Sequence, residues 1–116
     1  MVQVKQANLA SASQADRIAE AVSNVAPDLT PYSAWNDLDA LSSHTEVEAV
    51  EPLESQIFLE GDRFAGNCVV YVQLNYGDGD DGASMSDSYP GKFRGHMDDG
   101  SVVIDDIEVD ISSFYE

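Results

Sequence analysis

YPGKFRGHMDDGSVVIDDIEVDI, residues Tyr89 to Ile111, is the stretch that decides the fold. Asp99-Gly100 is a two-residue hairpin signal, because the tight turns that match strand twist need positive φ, which Asp and Gly tolerate. Closing that turn sets Met97 opposite Val102 and Gly95 opposite Ile104. Further on, the apolar set changes parity, from Val102 and Ile104 to Ile107, Val109 and Ile111. A slip of one residue turns every side chain to the other face, so one extra residue is required, a β-bulge at Asp105 or Asp106. With it, Phe93 meets Ile107 on the inner face. The outer face then sets Lys92 near Glu108 and Arg94 near Asp106, with Tyr71 across from Arg94.

Working outward, apolar residues alternate with period two from Leu53 onward, which predicts four strands: about Leu53 to Glu60, Asn67 to Tyr76, Tyr89 to Met97 and Ser101 to Ile111. The intervening turns are Gly61 to Gly66, an acidic loop from Gly77 to Ser88, and Asp99-Gly100. Pairing Tyr76 with Tyr89 places Val72 opposite Phe93 and Cys68 opposite Met97. Residues Ser43 to Glu51 fit either a capped helical turn or an edge strand and are read as strand. Upstream, Ala15, Ile18, Ala19, Val22 and Val25 recur at helical spacing from Ser11 to Ala26, with Ser11 and Gln14 as a capping box and Pro27 as the stop. Thr30-Pro31 starts a second helix carrying Tyr32, Trp35, Leu38 and Leu41, with Trp35 as its core anchor. The expected class is α+β, two N-terminal helices packed on one face of a four- to five-stranded antiparallel β-meander. Residues 1–116 form one domain, helical over about 11–42 and sheet over about 46–114, and Gly95 leaves room for Trp35 or a helix.

Charge bounds the partners. Twenty-two acidic residues face five basic ones, Lys5, Arg17, Arg63, Lys92 and Arg94, for a net charge of −17. Duplex nucleic acid is bound by neutralising phosphates with Lys and Arg, so the balance speaks against direct nucleic-acid binding and against anionic membranes, and for a basic protein surface. Adaptation of a whole proteome to high salt accounts for the same acidity. An apolar content of 43% is enough for a core, which argues against disorder. One cysteine, Cys68, cannot form an internal disulfide, and with no apolar span of membrane length and no leader pattern the expected location is cytoplasmic.

Two groups of residues stand out. Lys92, Arg94 and His96 alternate on one strand and project to one face, where they either bind an anion or a partner carboxylate, or neutralise Glu108 and Asp106 across the sheet; Tyr71 belongs to the same candidate sheet face. The loop around Asp78, Asp80, Asp81 and Asp87 fits a solvated connection, a docking element for a basic partner, or a calcium site, although its spacing departs from an EF-hand. His44 and His96 lack partners at zinc-ligand spacing, Cys68 falls on the inner face, and no serine or cysteine is set beside a base. No cofactor is implied, and the chain reads as noncatalytic.

The segments Val69-Val70-Tyr71-Val72-Gln73-Leu74-Asn75-Tyr76-Gly77, Asp87-Ser88-Tyr89-Pro90 and Val109-Asp110-Ile111-Ser112-Ser113-Phe114-Tyr115-Glu116 resemble a small domain of prokaryotic proteins. Similar C-terminal segments occur in predicted nucleases associated with prokaryotic PIWI-type defence systems. The resemblance spans Glu46 to Glu116, rests on strand and turn signatures without catalytic residues, and implies an accessory sheet domain. The readings that follow are an acidic interaction module that inhibits a partner or mimics nucleic acid on its basic surface, a recognition domain of a defence system, or a divalent-cation binder.

Overall fold

A computed structural model describes residues 8–77 and 82–115. The first helix, α1 (Ala12–Ser23), follows a two-residue strand, β1 (Asn8–Leu9), and starts at the expected capping box: Ser11 Oγ accepts from the Gln14 amide at 3.3 Å and Gln14 Oε1 accepts from the Ser11 amide at 3.2 Å. Ala15, Ile18, Ala19 and Val22 are buried, one stripe at the 3.6-residue period.

The second helix, α2 (Ser33–Leu38), runs into a 3₁₀ turn at Asp39–Leu41. Its buried positions are Ala34, Leu38 and Leu41, while Tyr32 and Trp35 are only half-buried. The expected three-residue recurrence is right at Leu38 and Leu41, but an α-helix advances about 100° per residue, so the buried face continues from them to Ala34, four before Leu38, and leaves Trp35 and Tyr32 at its rim. Trp35 sits at the rim of the core and is not its anchor.

The sheet has six strands: β1, β2 (His44–Pro52), β3 (Phe58–Glu60), β4 (Arg63–Tyr76), β5 (Ala83–Asp98) and β6 (Ser101–Val109). All pairings are antiparallel. Both β2 and β3 lie along one edge of β4, with Pro52 opposite Cys68 and Phe58 opposite Ala65, so they are successive pieces of one path. Between them the expected strand from Leu53 breaks into a 3₁₀ turn at Glu54–Gln56. Taken together, this path, β4, β5 and β6 form the expected meander. The helices lie N-terminal to it, and their buried side chains join one hydrophobic cluster with Val47, Val50, Val70, Val72, Tyr89, Phe93 and Ile107 of the sheet.

The last hairpin forms as its sequence dictates. Asp99 and Gly100 have φ of 50° and 83°, Met97 pairs with Val102, Phe93 with Ile107 and Lys92 with Glu108. Arg94 pairs with Asp106 and Gly95 with Ile104, which makes Asp105 the extra residue of the bulge.

The β4–β5 register differs from the expectation. Tyr76 pairs with Ala83 rather than Tyr89, Val72 with Asp87 rather than Phe93, and Cys68 with Gly91 rather than Met97. The difference is six residues; being even, it keeps every side chain on its expected face. Packing explains it. Phe93 lies opposite Gly66 and Phe64 opposite Gly95, and a Cβ on either glycine would stand 2.5 Å from the facing ring. Each glycine makes room for a phenylalanine, and the two rings meet at 6.3 Å between centroids. The space at Gly95 is thus filled by Phe64, not by Trp35 or a helix. The stretch Ala83 to Ser88, expected as part of the acidic loop from Gly77 to Ser88, is strand, because an exposed ladder needs only backbone partners. Likewise the supposed turn from Gly61 to Gly66 shrinks to Gly61 and Asp62, and Arg63 opens β4.

Candidate functional site

Alternation on two neighbouring strands builds the site. On β5, Tyr89 and Phe93 are buried and Gly91 and Gly95 lie in the same register, so Lys92, Arg94 and His96 project from the opposite face. On β4 their partners are Asn67, Ala65 and Arg63. Arg63 and His96 are directly opposite, and three of the chain's five Lys and Arg therefore share one face with His96. The sequence reading put Arg63 in a turn and missed it; the signal was the reciprocal glycine and phenylalanine spacing that extends β4 back to residue 63.

The bulge supplies the fourth element. Asp105, the extra residue of β6, is turned toward His96, with Oδ2 2.9 Å from Nδ1. A carboxylate can only accept, so Nδ1 carries a proton in this contact, and the neutral form of the ring that keeps the contact has its lone pair on Nε2. Among the described residues Nε2 makes no hydrogen bond. This His–Asp pair follows from the same spacing that places the bulge, yet counting residues for register does not reveal it.

Asp106 does different work. Its carboxylate is buried and accepts from the Ser33 amide at 2.8 Å and the Ser33 hydroxyl at 2.6 Å, tying the start of α2 to β6. Burial alone would raise its pKa; the two Ser33 hydrogen bonds, the Ile107 amide and Arg94 outweigh burial and hold it below the ordinary carboxylate range. Arg94 reaches Asp106 at 3.9 Å and Glu108 at 3.6 Å. Both are long contacts of an exposed guanidinium, in a class worth about 0 to 1 kcal/mol, so Arg94 can exchange them for a better anion. Lys92 faces Glu108 in register but makes no ion pair among the described residues.

Arg63, Lys92, Arg94, Asp105, Asp106 and Glu108 line a trough, and His96 borders it through Asp105. Three hollows of about 480, 330 and 220 Å³ follow one another along this face. Asn67, Lys92 and Glu108 are common to the first two, and Phe58, Ala65 and Arg94 to the second and third. Arg63 and Asp105 close the far end.

Other candidates are not brought there. Tyr71 lies opposite Ser88 and Ala49, not Arg94, and its hydroxyl donates to Glu51 at 3.5 Å. Asp87 is a strand residue whose Oδ2 accepts from the Tyr89 hydroxyl at 2.9 Å; burial first, then that bond, raises the Tyr89 pKa. Asp78, Asp80 and Asp81 lie outside the described residues. Cys68 is buried, which pushes its thiol up to about 11. Among the described residues no three His, Cys, Asp or Glu side chains are placed to share a metal ion, and no helix is long and apolar enough to cross a membrane.

Residues 8–115 match the family model described as "Predicted pPIWI-associating nuclease". The chain belongs to that family. No curated protein and no solved structure matches it. The match begins well before Glu46 and takes in both helices, so the attribution attaches to helices and sheet together. It also corrects the noncatalytic reading: the family description, itself a prediction, points to an enzyme.

Proposed function

We propose that this member of the predicted pPIWI-associating nuclease family is a phosphodiesterase whose site is the sheet trough. The observation that carries the reading is the convergence of Arg63, Lys92, Arg94 and His96 on one open face of a chain with net charge −17. A local cluster of cations can seat a phosphodiester where the whole-chain balance alone would speak against nucleic acid. In this reading the chain works as one domain in the cytoplasm, and its two helices seal the apolar face so that the basic one stays open. Arg94, planar and weakly committed, takes the phosphate with Arg63, and Lys92 holds the next phosphate along the strand. His96, oriented through Nδ1 by Asp105, moves the proton at Nε2, the role an anchored imidazole fills in acid–base catalysis.

The test is cleavage of a labelled oligonucleotide by the wild type and by His96→Ala, Asp105→Asn and Arg94→Ala. Loss of the imidazole should lower kcat about 10²- to 10⁴-fold, the usual contribution of one acid–base group. Asp105→Asn should lower it less, and Arg94→Ala should act on KM as well. Cleavage that survives His96→Ala unchanged would refute the assignment.

The remaining acidity is proposed to meet a basic surface on a protein partner, such as the pPIWI protein for which the family is named. A strand edge supports this. Among the described residues β5 has no β6 partner beyond Gly91, Pro90 O accepts from the Asp110 amide, and by alternation Ser84 and Ser86 present their backbone groups on that same edge. An extended basic segment would find hydrogen bonds there and carboxylates beside it.

A further inference from the structure

Phe58 is the unexplained residue of the trough. It is 40% exposed although apolar, pairs with Ala65 on the cationic face, and lines both hollows that contain Arg94. An aromatic face beside a guanidinium is how single-stranded nucleic acid is gripped: a base stacks on the ring while its phosphate meets the cation. A duplex keeps its bases stacked inside and has none to offer. The catalytic side points the same way. His96 has a carboxylate to orient it, and the described residues of the two hollows beside Phe58 include no serine, cysteine or threonine to act as nucleophile, while Cys68 in the first hollow is buried with its thiol pushed up to about 11. A substrate that carries its own hydroxyl beside the phosphorus needs only a base and cations.

We propose that the substrate is single-stranded RNA, with a base stacked on Phe58, the adjacent phosphate on Arg63 and Arg94, and the ribose 2′-hydroxyl as nucleophile. His96 Nε2 removes the 2′-hydroxyl proton as the 2′-oxygen forms its bond to phosphorus. The bond from phosphorus to the 5′-oxygen of the next nucleotide breaks, and that oxygen takes a proton from water. Nε2 then releases its proton to solvent, so atoms and charge balance. The products are a 2′,3′-cyclic phosphate and a 5′-hydroxyl end.

The inference rests on the phosphodiesterase reading, and one experiment separates the two. The probes are an end-labelled single-stranded RNA, the same strand with 2′-deoxyribose throughout, and a duplex RNA, each incubated with the wild type, Phe58→Ala and Phe58→Trp. Single-stranded RNA should be cut to cyclic-phosphate ends, and the deoxy strand and duplex at least about 100-fold more slowly. Phe58→Ala should raise KM about five- to 150-fold, the range for one lost stacked base, with little change in kcat, and Phe58→Trp should restore it. Equal cleavage of the deoxy strand overturns the RNA assignment and leaves the phosphodiesterase reading standing. Unchanged KM in a folded Phe58→Ala overturns the stacking site, and cleavage of none of the probes by the wild type overturns both readings.

Discussion

Asp106→Asn removes a charge without changing shape, at the point where α2 is tied to the sheet. In the wild type two donors of Ser33, at 2.8 and 2.6 Å, converge on a carboxylate that is 8% exposed. A hydrogen bond to a charged acceptor contributes about 1.5 to 3 kcal/mol against about 0.5 to 1.5 for a neutral pair, so two such bonds lose about 2 kcal/mol together. For a domain of this size that is a fall in Tm of about 8 °C. The loss should depend on pH. The folded-state pKa of Asp106 lies below the ordinary value of 3.8, so the stabilisation is complete above that value and is lost as pH falls through the folded-state pKa. Asn has no such dependence. Urea denaturation of both proteins at neutral pH and at a pH below the folded-state pKa should show a gap of about 2 kcal/mol that closes in acid. Relief of repulsion among the other carboxylates affects both proteins alike and cancels in the difference. A gap that persists unchanged in acid, or no gap at neutrality, would refute the argument.

Gly95→Ala should destabilise by about 1 to 3 kcal/mol or more, since the new methyl would meet both the Phe64 ring and the Val103 carbonyl oxygen, and only the ring can move. Thermal melting checks it, and a Tm at or above wild type would show that the Gly95–Phe64 pairing does not lock the register. Changing Asp78, Asp80 and Asp81 to asparagine should slow association with a basic partner protein and flatten its salt dependence while leaving Tm unchanged or higher. Asp87 is left intact because the Tyr89 hydroxyl donates to it. An unchanged association rate at low salt would make that loop a solvated connection.

What could be read from the chain was whatever a local rule governs. Asp99-Gly100 fixes its own turn, the parity change between Ile104 and Ile107 demands a bulge, and Ser11 with Gln14 caps α1, each from residues close in sequence. The β4–β5 register was not legible in this way, because alternation is satisfied equally by any even shift. What chooses among the shifts is the fit of Phe64 and Phe93 into Gly95 and Gly66, a contact between residues about thirty apart. The candidate site inherited both outcomes. Lys92, Arg94 and His96 were visible as an alternating row, whereas Arg63 depended on the true register and Asp105 on the direction in which a bulge turns its side chain. Net charge averages over a surface, whereas the proposed phosphodiester site needs only a few cations in one place.

The central claim, that nucleic-acid phosphates sit in this trough, is tested most directly by ¹H–¹⁵N correlation spectra of the wild-type protein titrated with a single-stranded 2′-O-methyl RNA, which can bind but lacks the attacking hydroxyl. Saturable shifts should concentrate at Phe58, Arg63, Ala65, Lys92, Arg94, His96 and Asp105 and weaken steeply with salt. Shifts confined to other faces, or none at low salt, would contradict it.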